Sequence, residues 1–281
     1  MRFEKWQALG NDYLIVEEGA LPWELTAARV QRLCDPHFGV GADGVLLLSR
    51  SEDPRFVASL RIFNPDGSEA ELSGNGAREA ILYLRRHNWT SEDTFSIHTA
   101  AGPITPTITS ARTCTVDMGR ATKTSKDFPS GSADGVGTLT AAGREWSFQH
   151  VSIGNPQCAI EVAEGLEELD LGEIGPPIES HDLFPNRTNV SFFSVDGSRV
   201  RARIFERGVG ETLSSGTGAT GAAVTAFLNG ASSPITVELD GGELEVEISD
   251  DLDVTLSGWA EPICSGDLSA EMLSALAELD G

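Results

Sequence analysis

The chain has 281 residues, 40% hydrophobic and 22% charged, enough apolar content for one large or two ordinary domains with a sizeable core. Its formal net charge of -23 excludes nucleic acid as a partner, because phosphate-backbone binding depends on clustered Lys and Arg. No run approaches the roughly 18–20 apolar residues of a spanning helix and no basic, then apolar, leader opens the chain, so a cytoplasmic protein without membrane contact is expected.

Only Lys5, Lys123 and Lys126 are lysines. With the acid excess this fits either adaptation to high salt or a coding bias toward Arg. Cys34, Cys114, Cys158 and Cys264 show no C-x-x-C spacing, so they are read as reduced and mostly buried thiols, with no zinc site or disulfide framework.

In chain order, short β-branched runs bounded by Gly, Pro, Asn and Asp predict strands at 45–48 and 60–63, and apolar spacing predicts a helix over 77–86. A strand follows at 104–108. The Ser-, Gly- and Asp-rich stretch 125–137 reads as an exposed loop or hairpin connection. Strands are then predicted at 151–153, 189–193 and 200–205, a helix over 219–228, and a strand at 244–248. Residues 267–279 read as an amphipathic terminal helix with Leu268, Met272, Leu273 and Leu276 as its apolar stripe.

The chain also contains an approximate copy of itself. When Arg61-Ile62-Phe63 is set over Arg203-Ile204-Phe205, an offset of 142 residues, nine of the twenty positions from 61 to 80 are identical without a gap. The matched residues include Glu69 with Glu211, Ser73 with Ser215, Gly74 with Gly216 and Gly76 with Gly218. Two similar halves follow, each a strand, a Gly-rich loop and a helix that starts at Ser-Gly-x-Gly. The expected class is α+β, with two pseudo-symmetric, β-rich, barrel-like domains, each with a central helix. Residues 1–117 with 263–281 form one half and 118–262 the other.

A helix N-terminus carries unpaired N–H groups and a partial positive charge, so two of them could hold one small anion, such as a carboxylate. Glycines at 74, 76, 216 and 218 let the backbone come close to such a ligand. If the carboxylate belongs to an amino acid, the same donors stabilise the negative charge that develops as its α-proton leaves. The alternative is purely structural, since Ser is among the best N-cap residues. A phosphate site fits less well, as neither loop has the Lys of a P-loop or the dinucleotide spacing.

Several motifs resemble the diaminopimelate epimerase family along nearly the whole chain. They are Phe3-x-Lys5 with Leu9-Gly10-Asn11-Asp12-Tyr13, Gly39-x-Gly41-Ala42-Asp43-Gly44, Phe63-Asn64-x-Asp66-Gly67-Ser68 with Gly74-Asn75-Gly76-Ala77-Arg78, and Gly154-Asn155-Pro156. Further on come Phe184-Pro185-x-Arg187-Thr188-Asn189-Val190 and Glu206-Arg207-Gly208-x-Gly210-Glu211-Thr212 with Gly216-Thr217-Gly218. The resemblance implies a substrate in the cleft between the two halves and conversion of L,L- to meso-diaminopimelate, in lysine and peptidoglycan precursor synthesis. It implies no metal, pyridoxal or other cofactor, and a small-molecule amino acid as the partner; the oligomeric state stays open, a homodimer being one option.

In that family two cysteines flank the α-carbon, one removing a proton and the other delivering one. Ser73 and Ser215 occupy those positions here. The implied substrate contacts are Asn11, Asn64, Asn155, Asn189, Glu206 and Arg207, with the backbone N–H groups around Gly74, Asn75, Gly216 and Thr217 on the reacting carboxylate. Arg207 can grip a carboxylate and Glu206 can pair with an ammonium. Three other positions depart from the family pattern: Glu79 and Thr220 stand where Cys is usual, and Gln157 where His is usual.

Serine is far less acidic than a thiol, whose reference pKa of about 8.5 is lowered further at a helix N-terminus. Direct substitution therefore predicts a slow or silent epimerase unless a base assists. Glu79, Asp66 and Glu211 are the acids considered for that role. A non-catalytic amino-acid-binding homologue is the competing reading. A proline-racemase-like enzyme for another small molecule is a third, and Glu206, Arg207 and the asparagines argue against proline itself.

Overall fold

The computed structural model describes residues 1–71 and 73–279. In chain order come β1 (Arg2–Ala8), β2 (Asn11–Glu17), α1 (Ala27–Cys34), β3 (Val45–Arg50), β4 (Ala58–Phe63), β5 (Glu69–Ala70), α2 (Gly74–Arg86), β6 (Ile97–Thr99), β7 (Gly102–Ile104) and β8 (Thr107–Ile108). Then follow β9 (Thr113–Arg120), β10 (Val136–Ala141), β11 (Arg144–Ser152), β12 (Pro156–Glu161), α3 (Leu171–Glu179), β13 (Asn189–Asp196), β14 (Arg199–Glu206), β15 (Gly210–Thr212) and α4 (Gly216–Leu228). The chain ends with β16 (Ile235–Leu239), β17 (Gly242–Ile248), β18 (Asp253–Trp259), β19 (Glu261–Asp267) and α5 (Ala270–Ala277). It divides into two compact units, Met1–Val116 with the chain from Gly258 onward, and Asp117–Ser257.

The first unit holds a sheet in the order β19-β1-β2-β3-β4-β6-β7, with β5 paired to β4. Its β2–β3 and β4–β6 pairs are parallel. Helix α2 packs against β1, β2 and β3 and is buried from Asn75 to Leu84. On the core around Leu14, Val16, Val30, Leu33, Val45, Leu47 and Phe63, α5 contributes fully buried Leu276, with Leu268 and Met272 beside it. The terminal helix is shorter than the sequence suggests, because β19 runs through Asp267 and Ser269 is the N-cap, its side chain accepting from Met272 N.

The second unit repeats this plan in the order β10-β11-β12-β13-β14-β16-β17, continued by β18, with β15 paired to β14. The β12–β13 and β14–β16 pairs are the parallel ones. Helix α4 packs against β11 to β14, β16 and β17. It is built almost wholly of Gly, Ala, Thr and Val, and Gly218 to Ala226 are buried. Small residues bring this helix down onto the sheet: a Cβ at Gly218 would lie 2.7 Å from Ile204 Cγ2, and one at Gly221 2.8 Å from Gln157 Cβ. Trp146, Phe148, Phe184, Phe192 and Phe205 form the core, each burial of this kind stabilising by roughly 1.5–3 kcal/mol.

The two pseudo-symmetric β-rich halves of the α+β class are therefore present as matching topologies, but the expected barrel-like closure is corrected. Among the described residues each sheet is an open run, and the strands at the far end of the first, β6 and β7, are three residues each. Both central helices begin at the Ser-Gly-x-Gly glycine, three residues before the predicted apolar stretch, because the capped glycine turn is itself helical. The predicted strand 104–108 is split into β7 and β8 around Pro106, whose nitrogen cannot donate to a ladder. The stretch 125–137 is not wholly exposed, since Phe128 inserts into the second core.

Two candidate half-sites at the helix N-termini

The candidate residues assemble as two groups, one in each unit, and the groups are built alike. In the first, Ser73 is the N-cap of α2 and its Oγ accepts from Gly76 N at 3.1 Å. In the second, Ser215 is the N-cap of α4 and its Oγ accepts from Gly218 N at 3.2 Å. The N–H groups of Gly74, Asn75, Gly216 and Thr217 lie in the first turns, where no helical carbonyl precedes them.

Each first turn is tied to an asparagine beside it. Asn75 Nδ2 donates to Asn11 Oδ1 at 3.3 Å, and Asn155 Nδ2 donates to Thr217 Oγ1 at 3.2 Å. Asn11 lies at the start of β2 and its Nδ2 donates to Asp43 at 2.9 Å, while Asp43 N–H donates to Asp12 Oδ1 and Lys5 pairs with Asp12 at 2.9 Å. Arg78, buried in α2, donates to Asn75 Oδ1. On the other side Gln157 Nε2 donates to Asn155 Oδ1 at 2.8 Å. Asn64 ends the β4 hairpin arm, its Nδ2 on Ser68 Oγ at 3.0 Å.

Asn189 serves the backbone: its Oδ1 accepts from Arg207 N at 2.8 Å and its Nδ2 donates to Pro156 O at 3.3 Å, joining β12, β13 and the end of β14. Arg207 is exposed, with Nη1 on Asn186 O at 3.0 Å. Glu206 closes β14 and accepts from Thr212 Oγ1 at 2.9 Å. Burial pushes its carboxyl above the usual range, against hydrogen bonds from the Thr212 and Ser215 hydroxyls that favour the carboxylate.

The acids considered as assisting bases have other places. Asp66 accepts from Ser68 N and Oγ, which hold its carboxyl below the ordinary range. Glu211 accepts from Arg203 at 2.7 Å. Glu79 is fully buried, and desolvation, with Asp12 and Asp43 and against the pull of Arg78, pushes its carboxyl well above the carboxylate range, which favours the protonated form. Of the thiols, Cys34, Cys114 and Cys158 are buried and Cys264 is exposed. Burial, with Asp12 and Asp43, drives Cys34 up to about 12. Tyr13 and Thr212 were not singled out from the sequence, although both lie inside the quoted motifs. Tyr13 OH donates to Ser73 Oγ at 3.3 Å.

Comparison with known proteins shows the family. The diaminopimelate epimerase family model matches residues 3–124 and 149–260. The chain belongs to the diaminopimelate epimerase family. It is 42% identical over 279 residues to the diaminopimelate epimerase of Synechococcus sp. strain JA-3-3Ab, covering 95% of this chain and 97% of that one. With diaminopimelate epimerase 2 of Nostoc sp. strain PCC 7120 the identity is 38% over 289 residues, covering 98% of each. The fold is shared with a hydroxyproline epimerase from Agrobacterium vitis, at a TM-score of 0.64 and 17% identity over 99% of this chain and 98% of that one. A methylitaconate-delta-isomerase has it too, at a TM-score of 0.66 and 14% identity over 97% of each chain. No helix among the described residues is long and apolar enough to cross a membrane.

Proposed function

We propose that this family member is a cytoplasmic epimerase that binds diaminopimelate and exchanges its α-proton without a cofactor, Ser73 and Ser215 standing in for the cysteine pair. The observation that carries this reading is the repeated half-site: a Ser-capped helix start with glycine-lined N–H donors and a neighbouring asparagine, once in each unit. N–H groups in the first turn of a helix suit a carboxylate, and their hydrogen bonds strengthen as charge develops on it. Asn64, Asn155, Asn189, Glu206 and Arg207 supply polar groups for a substrate with two amino-acid heads.

Serine sets the rate. A thiolate fraction at neutral pH is lost, and acid–base contributions of about 10² to 10⁴ are at stake at each position. Conversion of L,L- to meso-diaminopimelate is accordingly slow relative to a cysteine-bearing relative. A non-catalytic amino-acid binder is the second reading. It is favoured by one observation, that both hydroxyls act as N-caps.

Proton NMR of diaminopimelate in heavy water tests both, with the native protein beside the Ser73→Cys, Ser215→Cys double variant. Slow loss of the α-proton signal with native protein, accelerated by at least 100-fold in the double variant, is the expected result. Exchange by the double variant alone makes the native chain a binder. No exchange by either protein removes the epimerase reading altogether.

A further inference from the structure

Two arginines and two buried carboxylates are tied together where β14 turns into β15. Glu179 is the last residue of α3 and is 8% exposed, although both burial and the negative end of a helix disfavour a carboxylate. Its Oε1 accepts from Gly208 N at 2.8 Å and from Arg187 Nη1 at 3.1 Å. Its carbonyl oxygen accepts from Thr188 N at 3.0 Å, so one residue joins the loop before β13 to the turn after β14. Arg187 itself takes a φ of 60°, in the left-handed region that long side chains rarely adopt, and such a conformation persists only where its neighbours fix it.

The turn carries Arg207. Its N–H donates to Asn189 Oδ1 at 2.8 Å, the next N–H to Glu179, and Val209 N to Glu206 O at 3.0 Å, so successive donors are held, two of them by buried side chains of other elements. The guanidinium is held too. Arg207 Nη1 donates to Asn186 O at 3.0 Å, and Asn186 is fixed in turn by its Nδ2, which donates at 2.9 Å to Oδ1 of Asp127, 9% exposed. Asp127 N donates to Ser125 Oγ at 3.1 Å, and that oxygen lies 3.0 Å from Nε2 of buried His150. With Nη1 engaged, the Nε and Nη2 edge of exposed Arg207 has no partner among the described residues. That edge is the one that takes a carboxylate through two parallel hydrogen bonds, as Arg61 takes Glu69 in this chain.

We infer that Glu179 and the Asp127–Asn186 pair are positioning residues for Arg207: they fix which edge of its guanidinium is offered, and so make the site select a ligand that carries a second carboxylate. The inference rests on the diaminopimelate reading above, and every group it uses belongs to the second unit. Both acids act through Arg207 rather than on the ligand. Glu179 sets the backbone from which Arg207 rises, and Asn186 sets the rotation of its side chain. The entropy of ordering a long, exposed side chain is thus met in the fold before the ligand arrives. Diaminopimelate has a carboxylate at each end, and lysine is the same diamino chain without the second one. The selection lies between those two.

The test is NMR titration of the whole protein with diaminopimelate and, separately, with lysine. Native protein is compared with Glu179→Ala, Glu179→Gln, Asn186→Ala and Arg207→Met, and with the first three combined with Arg207→Met, after circular dichroism has shown that each is folded. Glu179→Ala and Asn186→Ala are expected to weaken diaminopimelate by about tenfold or more and lysine by less than about twofold. Glu179→Gln keeps an acceptor for Gly208 N and should recover most of the loss. In the Arg207→Met background the same substitutions should change neither affinity, since no guanidinium is left to position. Asn186 is exposed, and its replacement by alanine keeps the backbone oxygen that Arg207 uses, so this variant carries the test if Glu179→Ala does not fold. Equal weakening of both ligands, or a loss that persists in the Arg207→Met background, means that these residues only hold the loops together and overturns the inference. A native protein that binds diaminopimelate while the single variants bind it as tightly overturns it as well. A native protein that binds neither ligand takes down the diaminopimelate reading beneath it.

Discussion

Arg203 clamps Glu211 across the β14–β15 turn, with Nη2 at 2.7 Å and Nε at 3.0 Å from one carboxylate oxygen, and Arg61 clamps Glu69 across the β4–β5 turn, with Nε and Nη2 each 2.9 Å from a different carboxylate oxygen. The strand registers match as well, Phe205 opposite Glu211 and Phe63 opposite Glu69. Each clamp fixes the turn that leads into a Ser-Gly-x-Gly helix. Conserving the pair through the repeat places both N-caps at the same distance along the chain from their strands.

The two clamps should nevertheless differ in strength. The Arg61 side chain is 48% exposed and that of Arg203 13% exposed, and Arg203 Nη1 also donates to Leu166 O and Leu169 O. Exposed pairs contribute about 0–1 kcal/mol, while leaving buried acceptors without a donor costs about 1–3 kcal/mol. Arg61→Ala should therefore cost under about 1 kcal/mol and Arg203→Ala at least about 1 kcal/mol more. Urea unfolding of the two variants checks this, and equal midpoints would contradict it.

Glu79 should make stability fall with pH in a way a variant can remove. Its folded-state pKa is raised, so the folded protein holds a proton that the unfolded chain releases above about 4.5. The group's favourable contribution is complete below that unfolded value and is lost progressively as pH rises toward the folded one. Glu79→Gln keeps the shape without the titration. The stability difference in favour of Gln should widen from pH 5 to pH 7, at up to about 1.4 kcal/mol per pH unit while the folded carboxyl stays protonated. Other carboxylates cancel in the comparison, and a difference that is flat with pH would show that Glu79 is ionised in the fold.

Much of this architecture was readable from the sequence because the repeat carries its own register. Identities at Arg61, Glu69, Ser73 and Gly76 with Arg203, Glu211, Ser215 and Gly218 located both strands, both turns and both caps. The splitting of the 104–108 strand was less visible, since the β-branched pattern outweighed Pro106. Burial of Phe128 was hidden by the polar residues around it. The contact of Tyr13 with Ser73 lay beyond reach, because the fold brings together residues 60 positions apart. Glu79, Asp66 and Glu211, considered from the sequence as assisting bases, serve in the fold as a buried acid, a loop acceptor and a clamp.

Thiol reactivity follows from burial. Cys264 is exposed on β19, whereas Cys34, Cys114 and Cys158 are buried and desolvation raises the pKa of each. In native conditions one thiol per chain should react with an aromatic disulfide reagent, rising to four in denaturant. The same assay on the Ser73→Cys, Ser215→Cys protein gauges the helix starts: a thiol placed there should react faster than Cys264 near neutral pH, because the helix N-terminus lowers its pKa. Native reaction of all four cysteines would show that the described packing does not persist in solution.

The last expectation concerns the glycines that seat the two helices. Position 76 and position 218 are repeat partners, and each N–H caps onto its serine, yet the space around them differs. A Cβ at 218 would sit 2.7 Å from Cγ2 of Ile204, a β-branched side chain on β14 that cannot swing away, and 3.1 Å from Ser215 Oγ. At 76 the nearest atom is Leu46 Cδ2 at 3.0 Å, the far end of a flexible side chain. Alanine gains about 1 kcal/mol over glycine in helix propensity at either site. At 76 that gain should roughly offset the displacement of Leu46, leaving stability nearly unchanged. At 218 overpacking of about 1–3 kcal/mol should win, so Gly218→Ala should lower the unfolding midpoint and, by moving the Gly218 N–H away from Ser215 Oγ, slow α-proton exchange more than Gly76→Ala does. If Gly218→Ala proved as stable as Gly76→Ala, the close seating of α4 on β14 would be wrong.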